Sequence, residues 1–389
     1  MIKSCGVARF AYNWALNKWQ EDYKNGVKCG AYSLIKHLNS VKKDQFPWMQ
    51  ETSKTCSQYA IHNLESAYKR MWKIKSGYPK FKKKGLKDSF LAIENSQAYK
   101  QSNYKIHIPR VGKVRCDENL RFKGKVLNVT VKRIADMWFA VVKVDTEEPI
   151  PVRQAGENQT VVGIDMGIKS MLILSDGTIY NNPKALKNNL KGLKRLQRCL
   201  NRRQKGSKNR RKQQVKVARK HYRISCIRKE AIHVATSSIV KRFDKIIIET
   251  LSSANLVKNK KLSQSINDVS FGEIARQLEY KSAWQGKELI KASRWFASSK
   301  TCCGCGNKKD VLKLSERVYR CEVCGLSIDR DLNAAKNLAK YSPTSGSEGC
   351  EACGVSNSSS VKKRRGTMKQ ETIDLSNNLC RDTRNLKNL

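Results

Sequence analysis

Acidic residues are scarce in this chain of 389 residues: 33 Asp and Glu stand against 78 Lys and Arg, a formal net charge of +45. Between Asp176 and Glu230 there is no carboxylate side chain at all, while Lys and Arg recur throughout. Charge carried only for solubility amounts to roughly 2–8 per small domain. An excess this large implies a polyanionic partner, because each Lys or Arg that meets a phosphate releases a condensed counterion. Long apolar runs are missing too: no window approaches the roughly 18 residues of a spanning helix. The start, Met1-Ile2-Lys3-Ser4-Cys5, reaches Arg9 before a secretory apolar core can build up. Only five histidines are present, which weakens any His-based catalytic scheme. Fourteen cysteines are too dilute for a disulfide scaffold, and that usage suits a reducing cytosol. What is present is 39% hydrophobic residues, enough for packed cores, over a length that suggests about two or three domains.

Residues 7–75 read as helical. Phe10, Trp14 and Leu16 to Trp19 recur at helical spacing, as do Ala60, Leu64, Ala67 and Met71; core packing is the better reading of these aromatics than base stacking. Gly77-Tyr78-Pro79-Lys80-Phe81-Lys82-Lys83-Lys84 then breaks the helix and interleaves aromatics with Lys, which suits a phosphate-tracking loop with Tyr78, Lys80, Lys82 and Lys83 as its contacts. From about 88 to 146 the period becomes two. Tyr104–Pro109 is one strand, and Val126–Val131 with Trp138–Val144 make a hairpin around Asp136. Short strands separated by turns suggest a small antiparallel barrel. A polar linker, Gln154 to Gln159, follows.

The second half opens on an apolar strand ending at an acid, Val161 to Asp165, and a second strand, Met171–Leu174. Ala185, Leu186, Leu190, Leu193, Leu196 and Leu200 keep helical spacing through the acid-free stretch, so two long basic helices are expected, broken near Gly206-Ser207. A charge run is usually a solvated face or a disordered tail; the retained leucine period, continued by Ile224, Ile227 and Ile232, favours folded helices with a nucleic-acid-facing surface. Lys194, Arg195, Arg202, Arg203, Arg210 and Arg211 are its candidate contacts. Strand Lys245–Glu249 again ends at an acid. A helix over about 268–287, a strand over about 288–296 and a helix from Leu332 to about Tyr341 follow, and beyond Pro343 no apolar periodicity remains.

Two constellations carry chemistry. Cys302-x-x-Cys305 and Cys321-x-x-Cys324, each pair followed by glycine (Gly306 or Gly325), suit tetrahedral zinc with no open position, a structural site. Cys303 lies inside the first knuckle as a competing thiol. Cys350-x-x-Cys353 has no partner pair and sits in low-complexity sequence. The second constellation is Asp165, Glu249 and Asp331. Strand-end acids of a mixed sheet point into the crevice where α/β sites form, and such oxygens can hold two Mg²⁺ ions about 4 Å apart for phosphodiester cleavage. Any one of these acids alone reads better as a cap or surface ion pair, and Asp329 competes with Asp331 for either role.

Gly163-Ile164-Asp165-Met166-Gly167, Ile246-Ile247-Ile248-Glu249, Ser298 to Cys302 and Asp329-Arg330-Asp331-Leu332-Asn333-Ala334-Ala335, with Gly77 to Phe81 in the first half, resemble the TnpB family over nearly the whole chain. These are transposon-encoded, RNA-guided nucleases, long known as OrfB transposases, from which type V CRISPR effectors descend. The resemblance implies an α+β multidomain protein: an N-terminal wedge-type β-barrel with a helical lobe, then a RuvC-like RNase H fold with an inserted zinc ribbon. Asp165, Glu249 and Asp331 would be the Mg²⁺-binding catalytic acids and the ribbon would contact target nucleic acid. The expected partition is 1–76 helical recognition lobe, 77–150 barrel, 151–300 nuclease core with a basic helical insertion at 183–240, 301–326 ribbon, 327–342 final nuclease segment and 343–389 disordered tail.

Two departures stand out. Relatives open with a barrel strand ahead of the first helix, where this chain starts at Met1, so the barrel is expected to lack its first strand. Thr250 also follows Glu249 where relatives commonly have Asp. The implied function is an RNA-guided, Mg²⁺-dependent DNA endonuclease of an insertion-sequence element. Its partners would be a guide RNA from the element's own transcript and target double- and single-stranded DNA, with no membrane, in a prokaryotic cytoplasm and on the nucleoid when bound. The competing reading is a guided DNA-binding protein or regulator that does not cut, a truncated inactive copy. Retention of all three acids favours the enzyme. A strand-transferring transposase is disfavoured because no His pair or nucleophilic tyrosine context is evident.

Overall fold

The computed structural model describes residues 1–75, 77–85, 88–94, 99–102, 104–149, 151, 159–312, 316–342 and 368–374. The chain forms two compact units, one of Met1–Glu148 with the chain from Arg365 onward, the other of Pro149–Arg364. Of the expected linker only Gln159 falls in the described residues, and Cys350 and Cys353 lie outside them.

The first unit begins with helices α1 (Ile2–Lys24), α2 (Ala31–Gln45) and α3 (Lys54–Ile74). Ala8, Ala11, Ala15 and Trp19 recur every three or four residues and are buried on α1, with Leu16 beside them; the small alanines let α3 approach, and Trp19 stacks on Tyr68 with centroids 4.6 Å apart. Ser53 caps α3 by accepting from the Thr55 N–H. Strands β1 (Ser89–Ile93), β2 (Gln101–Ser102), β3 (Lys105–Ile108), β4 (Gly112–Arg115), β5 (Lys125–Ile134) and β6 (Met137–Asp145) follow. The β5–β6 hairpin turns at Ala135-Asp136, as its alternation predicts.

Among the described residues the expected barrel is not closed. The strands form a four-stranded sheet and a separate three-stranded sheet, β2-β3-β4. Closure needs edge strands to find each other; among the described residues β1 pairs only with β5, and β2 to β4 pair only among themselves.

In the second unit β7 (Val161–Asp165), β8 (Ser170–Leu174) and β9 (Ile179–Asn181) form an antiparallel meander. The basic stretch is a helical pair, α4 (Ala185–Asn201) and α5 (Lys208–Arg242), broken as expected at Ser207, which caps α5. Leu193 and Ile224 are the buried seam between them. After β10 (Lys245–Ile248) come α6 (Ser253–Leu256), α7 (Ser263–Val269), α8 (Phe271–Trp284) and β11 (Glu288–Lys291), then β12 (Val318–Arg320), β13 (Ser327–Asp329) and α9 (Arg330–Ala339). The central sheet has the order β11-β10-β7-β8-β9, with β7, β10 and β11 parallel. Ile232, Ala235 and Ile239 of α5 and Ile274 and Leu278 of α8 complete its core. Buried Asp268 on α7 accepts the Leu186 N–H at 2.9 Å and pairs with Arg228 at 2.8 Å, tying the start of α4 to α5.

Three expectations change here. The helix placed over 268–287 is two helices, divided at Ser270 with φ 62°. The strand placed over 288–296 stops at Lys291, where β10, its only partner in the described residues, also ends. The tail read as disordered contributes a strand, β14 (Met368–Asp374), antiparallel to β6 in the first unit's four-stranded sheet. It covers a row of backbone donors and acceptors that an edge strand leaves open. No helix among the described residues is long and apolar enough to cross a membrane.

Candidate functional site

Ile164 of β7 lies opposite Ile248 of β10 in parallel register. Asp165, which ends β7, and Glu249, which follows β10, therefore leave the sheet side by side at its carboxyl end. Asp331 comes from α9, which packs on β7 at Gly163. A Cβ there would meet the carbonyl oxygen of Ala335, the amide nitrogen of Ala339 and, at 2.9 Å, the carbonyl carbon of Leu338. Only glycine lets the helix lie so close.

The two acids of Asp329-Arg330-Asp331 divide their roles. Asp329 is the N-cap, its Oδ1 accepting from the N–H groups of Asp331 at 2.9 Å and Leu332 at 3.1 Å. Asp331 is left out of the cap and accepts from Nε and Nη2 of Arg330, both at 3.3 Å.

Burial, then the charges of Glu249 and Asp331, push the Asp165 carboxyl up to about 8, against an opposing pull from Arg330. Carboxylates gathered this closely resist ionising together. A cation would relieve that conflict, and a donor set made of carboxylate oxygens suits a hard divalent ion such as Mg²⁺. Ser298, buried, donates its hydroxyl to Glu249 Oε1 at 2.7 Å and orients that carboxylate. Sequence reasoning does not single out Ser298; it stands only within the Ser298 to Cys302 run. The Thr250 hydroxyl donates to the Ala292 carbonyl at 2.7 Å, joining the ends of β10 and β11.

The four cysteines converge, with their Sγ atoms all within 4.8 Å of one another. The two knuckles are built alike. Cys302 N–H donates to Asn307 O and Cys321 N–H to Leu326 O, both at 2.8 Å, while Gly306 and Gly325 turn with φ +79° and +71°. Sγ separations of 3.6 Å (Cys302–Cys324) and 3.5 Å (Cys305–Cys321) are far from a disulfide. They approach the roughly 3.8 Å edge of a tetrahedron with zinc–sulfur bonds of about 2.3 Å. The Cys324 and Val323 N–H groups bring Cys321 down to about 6 despite desolvation. Cys305 receives an N–H from Asn307, yet hydrogen bonding with the neighbouring sulfurs drives it up to about 12. Cys321→Ser is expected to take bound zinc from stoichiometric to near zero by elemental analysis, because thiolate binding supplies the folding energy of so small a module; full zinc retention would contradict the site.

Two buried asparagines of α9 tie the knuckle to the acids. Asn337 Nδ2 donates to Ser298 O at 2.7 Å and Thr301 O at 2.6 Å, and Asn333 Nδ2 to Thr301 O at 2.7 Å. Asn333 Oδ1 accepts the Cys303 N–H at 2.9 Å.

The sequence-derived basic contacts fall into two groups. Tyr78, Lys80 and Lys83 are exposed in the first unit; in the second, Lys194, Arg195 and Arg211 are exposed on the basic helices, and Arg202 and Arg203 in the turn between them. Lys82 keeps solvent contact, but its ammonium lies 3.8 Å from the Tyr12 ring centroid, and desolvation lowers its pKa. Arg210 donates to the carbonyls of Leu200 at 2.8 Å and Arg203 at 2.9 Å, closing the end of α4. Both have intramolecular work to do.

Residues 140–260 match the family described as "Probable transposase" (OrfB of the IS605 type), 271–338 the "Cas12f1-like, TNB domain" and 1–28 a "Helix-turn-helix domain". A Streptomyces pristinaespiralis protein named "Putative RNA-guided DNA endonuclease" is 34% identical over 346 residues, covering 87% of this chain and 84% of its own. The Escherichia coli (strain K12) protein "Putative RNA-guided DNA endonuclease InsQ" is 29% identical over 358 residues, 87% of each chain. The protein of a solved Cas12f1–sgRNA–target DNA complex shares the fold at TM-score 0.55 and 17% identity, over 87% of this chain and 81% of that one.

Proposed function

Because the chain belongs to the transposon-encoded OrfB family, which includes the TnpB proteins, we propose that it is an RNA-guided DNA endonuclease with a RuvC-like, Mg²⁺-dependent site. The observation that carries this reading is the acid cluster of Asp165, Glu249 and Asp331, in which burial and then the charges of both partners raise the Asp165 carboxyl to about 8. The sheet order β9-β8-β7-β10-β11, with an antiparallel meander and then parallel strands, supports an RNase H-type core. The names of the relatives support RNA and DNA as partners.

In this reading Asp165, Glu249 and Asp331 would hold Mg²⁺, whose chemistry there would be activation of water and stabilisation of the leaving oxygen of the phosphodiester. Ser298 holds one oxygen of Glu249, so that carboxylate presents a fixed face to the crevice. Arg330 steadies Asp331 from the same helix turn. The zinc knuckle is structural, and α4 and α5 give the polyanion a basic surface. Helices α1 to α3 act as the recognition lobe, and the antiparallel strands of the first unit as the wedge. Sequence specificity then rests on base pairing to the guide, with the protein reading a short flanking motif.

The test is a plasmid-library cleavage assay. The chain, co-expressed with its native downstream transcript and purified with bound RNA, is given guide-matched targets beside a randomised flank in Mg²⁺. Depletion of one defined flank is the expected result. RNA that copurifies without any depletion would instead support a guided binder that does not cut.

A further inference from the structure

The segment after β11 contains the most exposed large apolar side chain among the described residues. Trp295 is 88% exposed, while Ala292 before it is 1% and Ser298 after it 4% exposed. Its exposure is not that of a loose loop. The Phe296 N–H donates to Ser293 O at 3.0 Å and the Ser298 N–H to Phe296 O at 2.9 Å. The Ser293 N–H donates to the Tyr341 hydroxyl at 3.2 Å. Phe296 meets the Tyr341 ring edge-on with centroids 4.9 Å apart. The turn is thus pinned on both sides of an indole that is 88% exposed.

Its two chain neighbours, Arg294 and Phe296, line a cleft of ≈ 430 Å³ that also contains Glu249, Asn255 and Ser298. An exposed aromatic ring, adjacent in the chain to an arginine that lines this cleft together with Glu249, matches the two needs of a single strand. Every base offers a π-face to stack, and every linkage offers a phosphate. Phosphate attraction is general across so basic a chain, whereas an exposed indole on a held turn bordering the cleft is local.

We propose that Trp295 is a stacking platform for a base next to the scissile phosphate of single-stranded DNA, with Arg294 meeting the adjoining phosphate. This rests on the nuclease reading above and adds how the cut strand is held. A protein partner covering the indole is the competing occupant.

The test uses full-length protein with its copurifying RNA and single-stranded oligodeoxynucleotides carrying one 2-aminopurine, whose fluorescence is quenched by stacking. In an Asp165→Asn background, quenching is expected at one position beside the cleavage point, lost in Trp295→Ala and kept in Trp295→Phe. With Asp165 intact, Trp295→Ala should raise KM for the strand on the order of ten-fold, the weight of one base–aromatic stack. The turnover number should hold, as when uniform binding is removed. Trp295→Ala with unchanged quenching and KM would overturn the proposal, as would a loss confined to RNA retention or to capture of a protein. Cleavage persisting in Asp165→Asn would instead defeat the nuclease reading, so the two failures are distinguishable.

Discussion

Asp165→Asn is expected to lower DNA cleavage by more than about 100-fold while RNA and DNA binding persist. Losing a group that only supports a metal ligand costs about 10–100-fold, and Asp165 is a proposed ligand itself. Asparagine keeps the shape and removes the charge at the strand end where Glu249 lies alongside and Asp331 adds its field. Cleavage by the variant at the wild-type rate would remove Asp165 from the active site.

The same substitution has an opposite effect on stability in Mg²⁺-free buffer. The Asp165 carboxyl titrates near 8 in the folded chain because of burial and then its two acidic neighbours, against about 3.9 when unfolded. A folded value above the unfolded one means that its contribution is fully present below about pH 4 and is lost as pH rises toward 8. The asparagine side chain that replaces it has no such titration. The variant should therefore melt above wild type at pH 8.5, by the several degrees that a few kcal/mol represents, with the gap narrowing at pH 5.5. A gap independent of pH would show that the cluster does not oppose ionisation.

Gly163→Val is expected to destabilise the second unit by about 3 kcal/mol or more, the upper range of core overpacking, and to abolish cleavage with it. The atoms a Cβ would strike belong to the backbone of Ala335, Leu338 and Ala339, so no rotamer change relieves the clash. The strand cannot swing away, since the Gly163 N–H donates to Ser175 Oγ at 3.2 Å and its carbonyl accepts the Ser175 N–H at 3.0 Å. The helix must move, and it carries Asp331 together with the asparagines that hold the approach to the zinc knuckle. Thermal unfolding monitored by circular dichroism checks this; a melting temperature within a degree of wild type would mean that α9 is not seated on β7 as described.

Features with a local physical cause could be read from the chain without its structure. Cys302, Cys305, Cys321 and Cys324 are legible because two-residue spacing already places paired thiols on one knuckle. The helix break at Ser207 is legible because glycine and a capping serine act within a turn. Asp165 and Glu249 are legible as acids at the ends of apolar runs. Asp329 and Asp331 are not separable in that way, since one helix turn offers both a cap and an exit; the hydrogen bonds of Asp329 to the N–H groups of Asp331 and Leu332 decide it.

The remaining differences have long-range causes. Lys82 and Arg210 look like any other basic residue until Tyr12 and the end of α4 are placed beside them. The run from Leu289 to Phe296 has the apolarity of a strand, but pairing requires a neighbour, and β10 ends opposite Lys291. That early stop turns Trp295 out of the sheet and into solvent. Barrel closure and the partner of β14 depend on which edges meet, a matter of register between distant segments. Composition, spacing and period thus determine the charge, the metal knuckles and the order of elements, because those follow from residues near one another in the chain. Only the tertiary structure decides which acids converge and which cations are already engaged, because those depend on contacts between residues far apart in sequence.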